Sequence, residues 1–182
     1  MLELNQTGLV LVDVQGRLAT LVHNSETVLN RLRVLLQAMR LLNRPVLWLE
    51  QNPTGLGPTH PMLAAELLHS HPVIKHSFNG CREAAVTSAL AGHDCRQWLV
   101  CGIEAHICVY QTARGMVDAG YEVEVISDAV SSRDPANLAL ALTRLAASGV
   151  ALTSVEMALY ELMQDANHEA FDAILPLVKS LS

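Results

Sequence analysis

Three residues of the chain, Asp13, Lys75 and Cys108, have side chains that could together break an acyl bond. A cysteine near the N-terminus of a helix experiences the positive end of the helix dipole, and a neighbouring ammonium lowers the pKa of the thiol further. A thiolate is then available near neutral pH, and a carboxylate beside it can accept the thiol proton and pass it to a leaving group. These residue types predict nucleophilic catalysis if the fold brings them together.

Each of the three residues also has an ordinary structural explanation. A carboxylate at the end of a strand often caps the following turn, and a lysine at such a position is usually solvated. A buried cysteine more often packs as a small hydrophobe than acts as a nucleophile. The catalytic interpretation therefore depends on all three residues lying at one edge of the fold.

The elements that must position these residues alternate between strands and helices. Residues 8–13 and 97–103 are apolar at nearly every position, which is typical of strands buried on both faces of a parallel sheet. The predicted strands are 8–13, 46–50, 72–75, 97–103, 122–127 and 150–153, and the predicted helices are 24–42, 62–68, 82–91, 105–119, 135–148, 154–165 and 168–179. Strands separated by helices indicate right-handed βαβ units, so we expect an α/β fold in which a six-stranded parallel sheet lies between two helical layers.

This topology gives the three candidate residues a common position. Asp13 ends the first predicted strand, Lys75 ends the third, and Cys108 opens the helix that follows the fourth. Parallel α/β folds bind ligands beyond the carboxyl ends of their strands. We therefore expect the three side chains to converge there in spite of their wide separation in the sequence.

The composition limits the classes to which the protein can belong. With 182 residues, of which 51% are hydrophobic and 16% charged, the chain is expected to form a single folded domain over residues 1–182. A net charge of −6 argues against a nucleic-acid partner. Neither a membrane-spanning run nor a signal peptide is evident in the sequence. The four cysteines form no CxxC pair, so we expect free thiols in the reducing cytoplasm.

Several segments resemble the isochorismatase-like cysteine hydrolase family, and most closely its isochorismatase-domain-containing subgroup. The segments are 10–15 (VLVDVQ), 50–53 (EQNP), 55–57 (GLG), 74–75 (IK), 101–109 (CGIEAHICV) and 127–133 (SDAVSSR). The resemblance implies an Asp13–Lys75–Cys108 triad that cleaves a small-molecule amide through a thioester on Cys108. It also implies a cis peptide bond between Ile103 and Glu104 that directs the backbone N–H groups of Glu104 and Cys108 at the oxyanion.

This sequence differs from the family pattern at positions that limit which activity is expected. Nicotinamidase members carry closely spaced metal-binding histidines after the second strand, whereas this chain has no histidine there before His60. We therefore expect no metal and no dissociable cofactor. True isochorismate hydrolases lack the nucleophilic cysteine, so Cys108 argues against that chemistry. A metal-independent hydrolase acting on non-peptide C–N bonds or related acyl bonds remains.

Other residues are weaker candidates with two explanations each. Gln15, Gln51 and Phe78 neighbour strand ends and are predicted to line a substrate pocket, although packing or loop capping would explain them equally well. The histidines His69, His71 and His76 surround Lys75 without a recognisable ligand geometry, so they are interpreted as solvated loop residues.

Partners and rival functions complete the set of expectations. The substrate is expected to be a small molecule, and the apolar stretch 157–181 is expected to support a homo-oligomer or to pack on the sheet. Two other functions stay open: a binding or scaffold module that retains a reactive Cys108, and a thiol redox sensor that pairs Cys108 with Cys81. The roles of Cys81 and His106 are left undecided by the sequence.

Overall fold

The sheet consists of six parallel strands, and its central strand is buried because its sequence is apolar on both faces. The computed structural model describes residues 1–68 and 70–181. The strands are β1 (Thr7–Val12), β2 (Val46–Gln51), β3 (Val73–Lys75), β4 (Gln97–Ile103), β5 (Glu122–Ser131) and β6 (Ala151–Thr153). All six residues of β1 are buried, as expected for a central strand that is apolar on both faces.

Helices cover both faces of this sheet. They are α1 (Leu18–Leu21), α2 (Ser25–Leu41), α3 (Pro53–Leu56), α4 (Pro61–Ala64), α5 (Ala84–Ala91), α6 (Tyr110–Asp118), α7 (Pro135–Ala147), α8 (Val155–Met163) and α9 (Phe171–Lys179). Leu9 and Leu11 of β1 pack into a core with α2, α8 and α9. Val10 and Val12 point to the opposite core, which contains residues of α5, α6 and α7. The alternation of side chains along β1 thus builds a three-layer αβα structure.

The strand order places a crevice next to β1. The order is β3-β2-β1-β4-β5-β6, and every neighbouring pair is parallel. The chain therefore winds outward from β1 in one direction and from β4 in the other. Such a reversal separates the connections that leave the two strands, and ligands bind in the resulting crevice. The predicted six-stranded parallel α/β fold is confirmed.

A glycine lets the two central strands approach each other closely at this crevice. Gly102 pairs with Val12 and has φ of 116°, a conformation that other residues rarely adopt. A Cβ on Gly102 would overlap the backbone carbonyl of Val12. The end of β4 can therefore lie directly against the end of β1, where Asp13 follows.

Two elements differ from their predicted bounds near this crevice. Strand β5 continues to Ser131 instead of ending at Ser127, because the polar side chains of its second half have partners inside the protein. The Asp128 carboxylate accepts a hydrogen bond from Val155 N at 2.9 Å, and the Ser131 hydroxyl donates to His23 O at 2.7 Å. The helix predicted over 105–119 begins with a π-helical turn, Ala105–Val109, before α6.

In the described part of the chain, no helix combines the length and the apolar character that crossing a membrane requires.

Candidate active site

Asp13 and Lys75 form a buried ion pair at the carboxyl edge of the sheet. Asp13 directly follows β1 with φ of 50°, and Lys75 is the last residue of β3. Lys75 Nζ lies 2.7 Å from Asp13 Oδ2, and the two side chains are 0% and 3% exposed, respectively. The lysine side chain spans the width of β2 to make this contact. A charge removed so completely from water has to be paired and hydrogen-bonded, and this pair meets that requirement.

The ammonium of Lys75 has two further acceptors. Nζ donates to Gln51 Oε1 at 2.7 Å and to the backbone carbonyl of Ser77 at 3.2 Å. Together with Asp13, these groups match the three protons of an ammonium. The cation is therefore held in place from three directions.

Cys108 lies on the π-helical turn after β4 and is 7% exposed. Burial raises the pKa of its thiol to about 12, the charge of Asp13 adds to this rise, and the charge of Lys75 opposes it. The thiol is thus close enough to the ion pair for both charges to act on it. The predicted thiolate near neutral pH is corrected, because desolvation and the carboxylate outweigh the ammonium.

Asp13 has a carboxylate oxygen available for a proton. Oδ1 is buried and has no hydrogen-bond partner among the described residues, whereas Oδ2 is bound to Lys75. Burial raises the pKa of Asp13 above its usual value, while the charge and hydrogen bond of Lys75 oppose the rise. A carboxylate in this position can accept a proton from one neighbouring group and return it to another.

The turn between β4 and Cys108 is anchored from the end of β5. The Ile103–Glu104 peptide bond is cis, and the Glu104 side chain is buried. Its Oε1 accepts hydrogen bonds from Arg133 N at 3.0 Å and from Arg133 Nε at 3.1 Å. Burial pushes the pKa of Glu104 upward, but the hydrogen bonds and charge of Arg133 hold it below its usual value. Glu104 is consequently a buried anchor of this turn.

The three predicted pocket residues have different positions. Gln15 is fully buried, and its amide bonds to Gln51 N, Gln51 O and Gly57 O at 2.7, 3.1 and 2.7 Å. It supports the site from behind and does not line it. Gln51 contacts Lys75, as described above. Phe78, in the loop after β3, is 55% exposed and is available to line an opening.

Sequence reasoning missed two residues that support the site. Arg133, which belongs to the segment 127–133 but for which the sequence predicts no role in the site, binds Glu104, while the cap of α7 is the neighbouring Asp134. Glu83 Oε1 accepts hydrogen bonds from His76 N, Ser77 N and Ser77 Oγ at 3.0, 2.8 and 2.8 Å. These bonds lower the pKa of Glu83 to about 2 and hold the loop that supplies a carbonyl to Lys75. Neither contact has a sequence signal, because the first depends on how two loops meet and the second on the conformation of the loop after β3.

Among the described residues, the other candidate cysteine and histidine side chains lie outside the cluster of Asp13, Lys75 and Cys108. The described residues contain no group of three or more His, Cys, Asp or Glu arranged to hold a metal ion. His71 and His76 are exposed, and the predicted loop position of His69 lies outside the described residues. His106 Nδ1 is 2.8 Å from Ser132 Oγ. Cys81 is partly buried, and this burial together with the charge of Asp118 raises the pKa of its thiol to about 11.

Comparison with known proteins assigns the chain to a family. The isochorismatase domain family matches residues 7–157. Isochorismatase domain-containing protein 2 of Danio rerio is 41% identical over 170 residues, which cover 93% of this chain and 85% of that protein. The chain belongs to the isochorismatase family. This membership confirms the resemblance drawn from the sequence and supports a hydrolase role.

Solved structures with the same fold belong to proteins described in different ways. The MAR1 ribonuclease from Caenorhabditis elegans shares 29% sequence identity at a TM-score of 0.91, and the match covers 98% of this chain and 92% of that one. The YcaC gene product from Escherichia coli, described as an octameric hydrolase of unknown specificity, shares 21% identity at a TM-score of 0.86. That match covers 100% of this chain and 97% of the bacterial one. The isochorismatase fold is thus maintained while the sequence diverges.

Proposed function

We propose that the protein is a cysteine hydrolase that cleaves a small-molecule amide or related acyl bond through a thioester on Cys108. The observation that carries this proposal is the buried Asp13–Lys75 ion pair acting on the Cys108 thiol at the crevice between β1 and β4. An acid, a cation and a thiol in one desolvated cluster match the requirements of covalent acyl transfer.

In the first half of the reaction, Cys108 Sγ attacks the substrate carbonyl. Because the resting thiol is protonated, its proton passes to Asp13 Oδ1 as the S–C bond forms. Lys75 stays an ammonium and balances the negative charge that moves between Asp13 and the substrate. The protonated Asp13 then gives its proton to the leaving amine as the C–N bond breaks, which leaves a thioester on Cys108.

In the second half, water attacks the thioester. Asp13 accepts a proton from the water, the C–S bond breaks, and Asp13 returns that proton to Cys108 Sγ. The free acid leaves and the enzyme regains its starting state, so atoms and charges balance without any redox step. This sequence needs no metal or dissociable cofactor, because Asp13 moves the proton and Lys75 supplies the positive charge.

The backbone N–H groups of Glu104 and Cys108 are proposed to stabilise the oxyanion that forms during both attacks. The bonds between Glu104 and Arg133 support this role because they fix the turn that carries the Glu104 amide. A single oxyanion donor is typically worth about 3 kcal/mol of barrier. Phe78 is proposed to line the mouth of the substrate pocket.

A panel of small amides and esters, followed by intact-protein mass spectrometry, tests the proposal. We expect at least one substrate to leave an acyl adduct on Cys108 and to be hydrolysed. Cys108→Ala should form no adduct, and Asp13→Asn should slow adduct formation by at least about 100-fold. Cys101→Ala is the matched control, because Cys101 is fully buried in β4. Hydrolysis that persists in Cys108→Ala would refute the assignment.

Experiments on the same protein samples distinguish the proposed hydrolase from the two other functions. A redox sensor predicts a reversible Cys108–Cys81 disulfide under mild oxidant, whereas all four cysteines are free in the structure. A binding or scaffold module predicts neither turnover nor a change in Cys108 alkylation on substitution of Lys75. Because the nematode relative is described as a ribonuclease, an RNA oligonucleotide joins the panel, and the net charge of −6 predicts no cleavage.

We also propose a homo-oligomer and a cytoplasmic location. The bacterial relative of the same fold is described as octameric, and Met157 in the apolar C-terminal stretch is 63% exposed. Light scattering after size-exclusion chromatography should give a mass above the 19.8 kDa of one chain. The free thiols fit a reducing compartment, which fractionation of cells would test.

A further inference from the structure

Gln51 binds the cation of the proposed triad with an uncharged group. Its Oε1 accepts a hydrogen bond from Lys75 Nζ at 2.7 Å, and its Nε2 donates to His76 O at 2.6 Å. Both ends of the amide therefore have partners within the protein. An amide oxygen can bind an ammonium without adding a negative charge to it.

The three hydrogen-bond acceptors of Lys75 fix the position of its ammonium group. An ammonium has three protons, and they are directed at Asp13 Oδ2, Gln51 Oε1 and Ser77 O at 2.7, 2.7 and 3.2 Å. Lys75 is fully buried, so water does not replace any of these groups. No proton is left to donate to a substrate, and Gln51 is the one uncharged side chain among the three acceptors.

Gln15 fixes the backbone of Gln51 from the other side. Gln15 Oε1 accepts from Gln51 N at 2.7 Å, and Gln15 Nε2 donates to Gln51 O at 3.1 Å and to Gly57 O at 2.7 Å. The two bonds to Gln51 bind the last residue of β2 in the way a neighbouring strand would, beyond the pairing of β1 with β2, which ends at Leu49. The Gln51 side chain thus starts from a rigid support.

We propose that Gln51 is a positioning residue, which fixes the Lys75 ammonium beside Asp13 and Cys108 and leaves Asp13 as the only carboxylate, among the described residues, that binds this cation. This inference rests on the proposed function for its catalytic consequence. It assigns Lys75 a constant charge through the reaction and leaves proton transfer to Asp13.

Two variants of nearly equal size test this role. Gln51→Met removes the acceptor, whereas Gln51→Glu keeps an acceptor and places a second carboxylate on Lys75. The first readout is the rate of Cys108 alkylation by iodoacetamide, followed by mass spectrometry of the Cys108 peptide at one pH below the thiol pKa. There the rate follows the thiolate fraction, which changes tenfold for each unit of pKa. We expect alkylation to slow at least tenfold in Gln51→Glu and about threefold to tenfold in Gln51→Met.

The second readout is turnover of whichever amide the panel identifies. A positioning role predicts that Gln51→Met lowers kcat by about 10- to 100-fold and changes KM less than threefold. Gln37→Met is the matched control, because it also removes a glutamine hydrogen bond, from Gln37 Nε2 to Glu66 Oε1 at 2.6 Å, but does so on the helix α2. In this control, the rate of Cys108 alkylation and the turnover of the amide should equal those of the wild type.

The outcomes separate the two proposals. Wild-type alkylation rates in folded Gln51→Met and Gln51→Glu would overturn the role of Gln51, whatever happens to thermal stability. If Gln51→Met does not fold, Gln51→Glu still decides the question because it retains the acceptor. A wild-type protein that hydrolyses no amide would refute the proposed function, while the alkylation rates would still test Gln51.

Discussion

At the scale of single residues, the proposed site combines a buried carboxyl group and a buried thiol near one cation. Burial raises the pKa of both Asp13 and Cys108, and Lys75 opposes the rise in each. The proposed reaction needs the ionised form of Asp13 beside the thiol form of Cys108, and the charge of Lys75 favours that form of Asp13. In the proposed reaction, Cys108 therefore loses its proton to Asp13 as it attacks. A thiol with a raised pKa also reacts slowly with alkylating and oxidising reagents.

The acid limb of the pH profile should report Asp13. The proposed base must be ionised, so kcat/KM is expected to fall as the pH drops through the raised pKa of Asp13. Lys75→Met removes the charge that lowers this pKa, so the limb should move to higher pH and kcat should fall by about 100-fold or more. The measurement is kcat/KM against pH for both proteins.

Lys179→Met, which removes an exposed lysine at the end of α9, is the control for this experiment. Its profile should match that of the wild type. An acid limb that stays in place in Lys75→Met would show that the titrating group is not Asp13 under the influence of Lys75.

At the scale of elements, each segment of the proposed active site is held by a polar side-chain contact. Gln15 supports the end of β2, Glu83 holds the loop after β3, and Arg133 anchors the turn after β4. Strand pairing ends just before these segments, so the contacts replace the ladder hydrogen bonds that the sheet no longer supplies. The precision of the site therefore depends on side chains outside the triad.

Glu83 should contribute stability in a defined pH range. Its folded-state pKa is about 2, below the ordinary value of 4.5, because the backbone and side chain of Ser77 and the backbone of His76 bind the carboxylate. A lowered pKa contributes stability that is present above the ordinary value and is lost as the pH falls through the folded value. Glu83→Gln should therefore be less stable than the wild type above about pH 4.5, with the difference shrinking towards about pH 2.

Urea unfolding at several pH values measures this effect. Glu169→Gln, at an exposed position before α9, is the control and should follow the wild-type curve. If the difference in the free energy of unfolding between Glu83→Gln and the wild type were constant across this pH range, the stabilising role of the ionised Glu83 carboxylate would be contradicted.

At the scale of the whole molecule, a hydrophobic core on each face of the sheet packs the helices against the strands. This packing holds the ends of the strands in position. Leu35 on α2 is completely buried in one core, whereas Leu140 on α7 is 54% exposed. Leu35→Ala should lower the free energy of unfolding by about 2–5 kcal/mol through lost burial and a residual cavity. Leu140→Ala should change it by less than about 0.5 kcal/mol.

Denaturant titration followed by circular dichroism checks this pair, with Cys108 alkylation as a second readout. Leu35→Ala should leave the alkylation rate of the folded fraction unchanged, because α2 does not contribute to the triad. Equal free energies of unfolding for Leu35→Ala and Leu140→Ala would mean that the core on the α2 side contributes little to stability.

Much of the architecture follows from the sequence. Aliphatic runs such as 8–13 and 97–103 identify central strands, and the helices between them require parallel connections. That topology alone directs Asp13, Lys75 and the Cys108 turn to one edge of the sheet, which is why the proposed triad could be named before the fold was described. The bounds of β5 could not be predicted, because Asp128 and Ser131 read as loop residues until their partners are known.

The sequence by itself determined the αβα layers and the edge at which chemistry can occur, since hydrophobic periodicity and chain connectivity are local properties. Only the tertiary structure decided the direction in which the pKa of Cys108 shifts, the acceptors of Lys75 and the burial of Glu104. Asp13 and Lys75 are 62 residues apart, and Glu104 and Arg133 are 29 apart. The pKa of a buried group depends on desolvation and on distances of a few ångströms, which no spacing along the chain encodes.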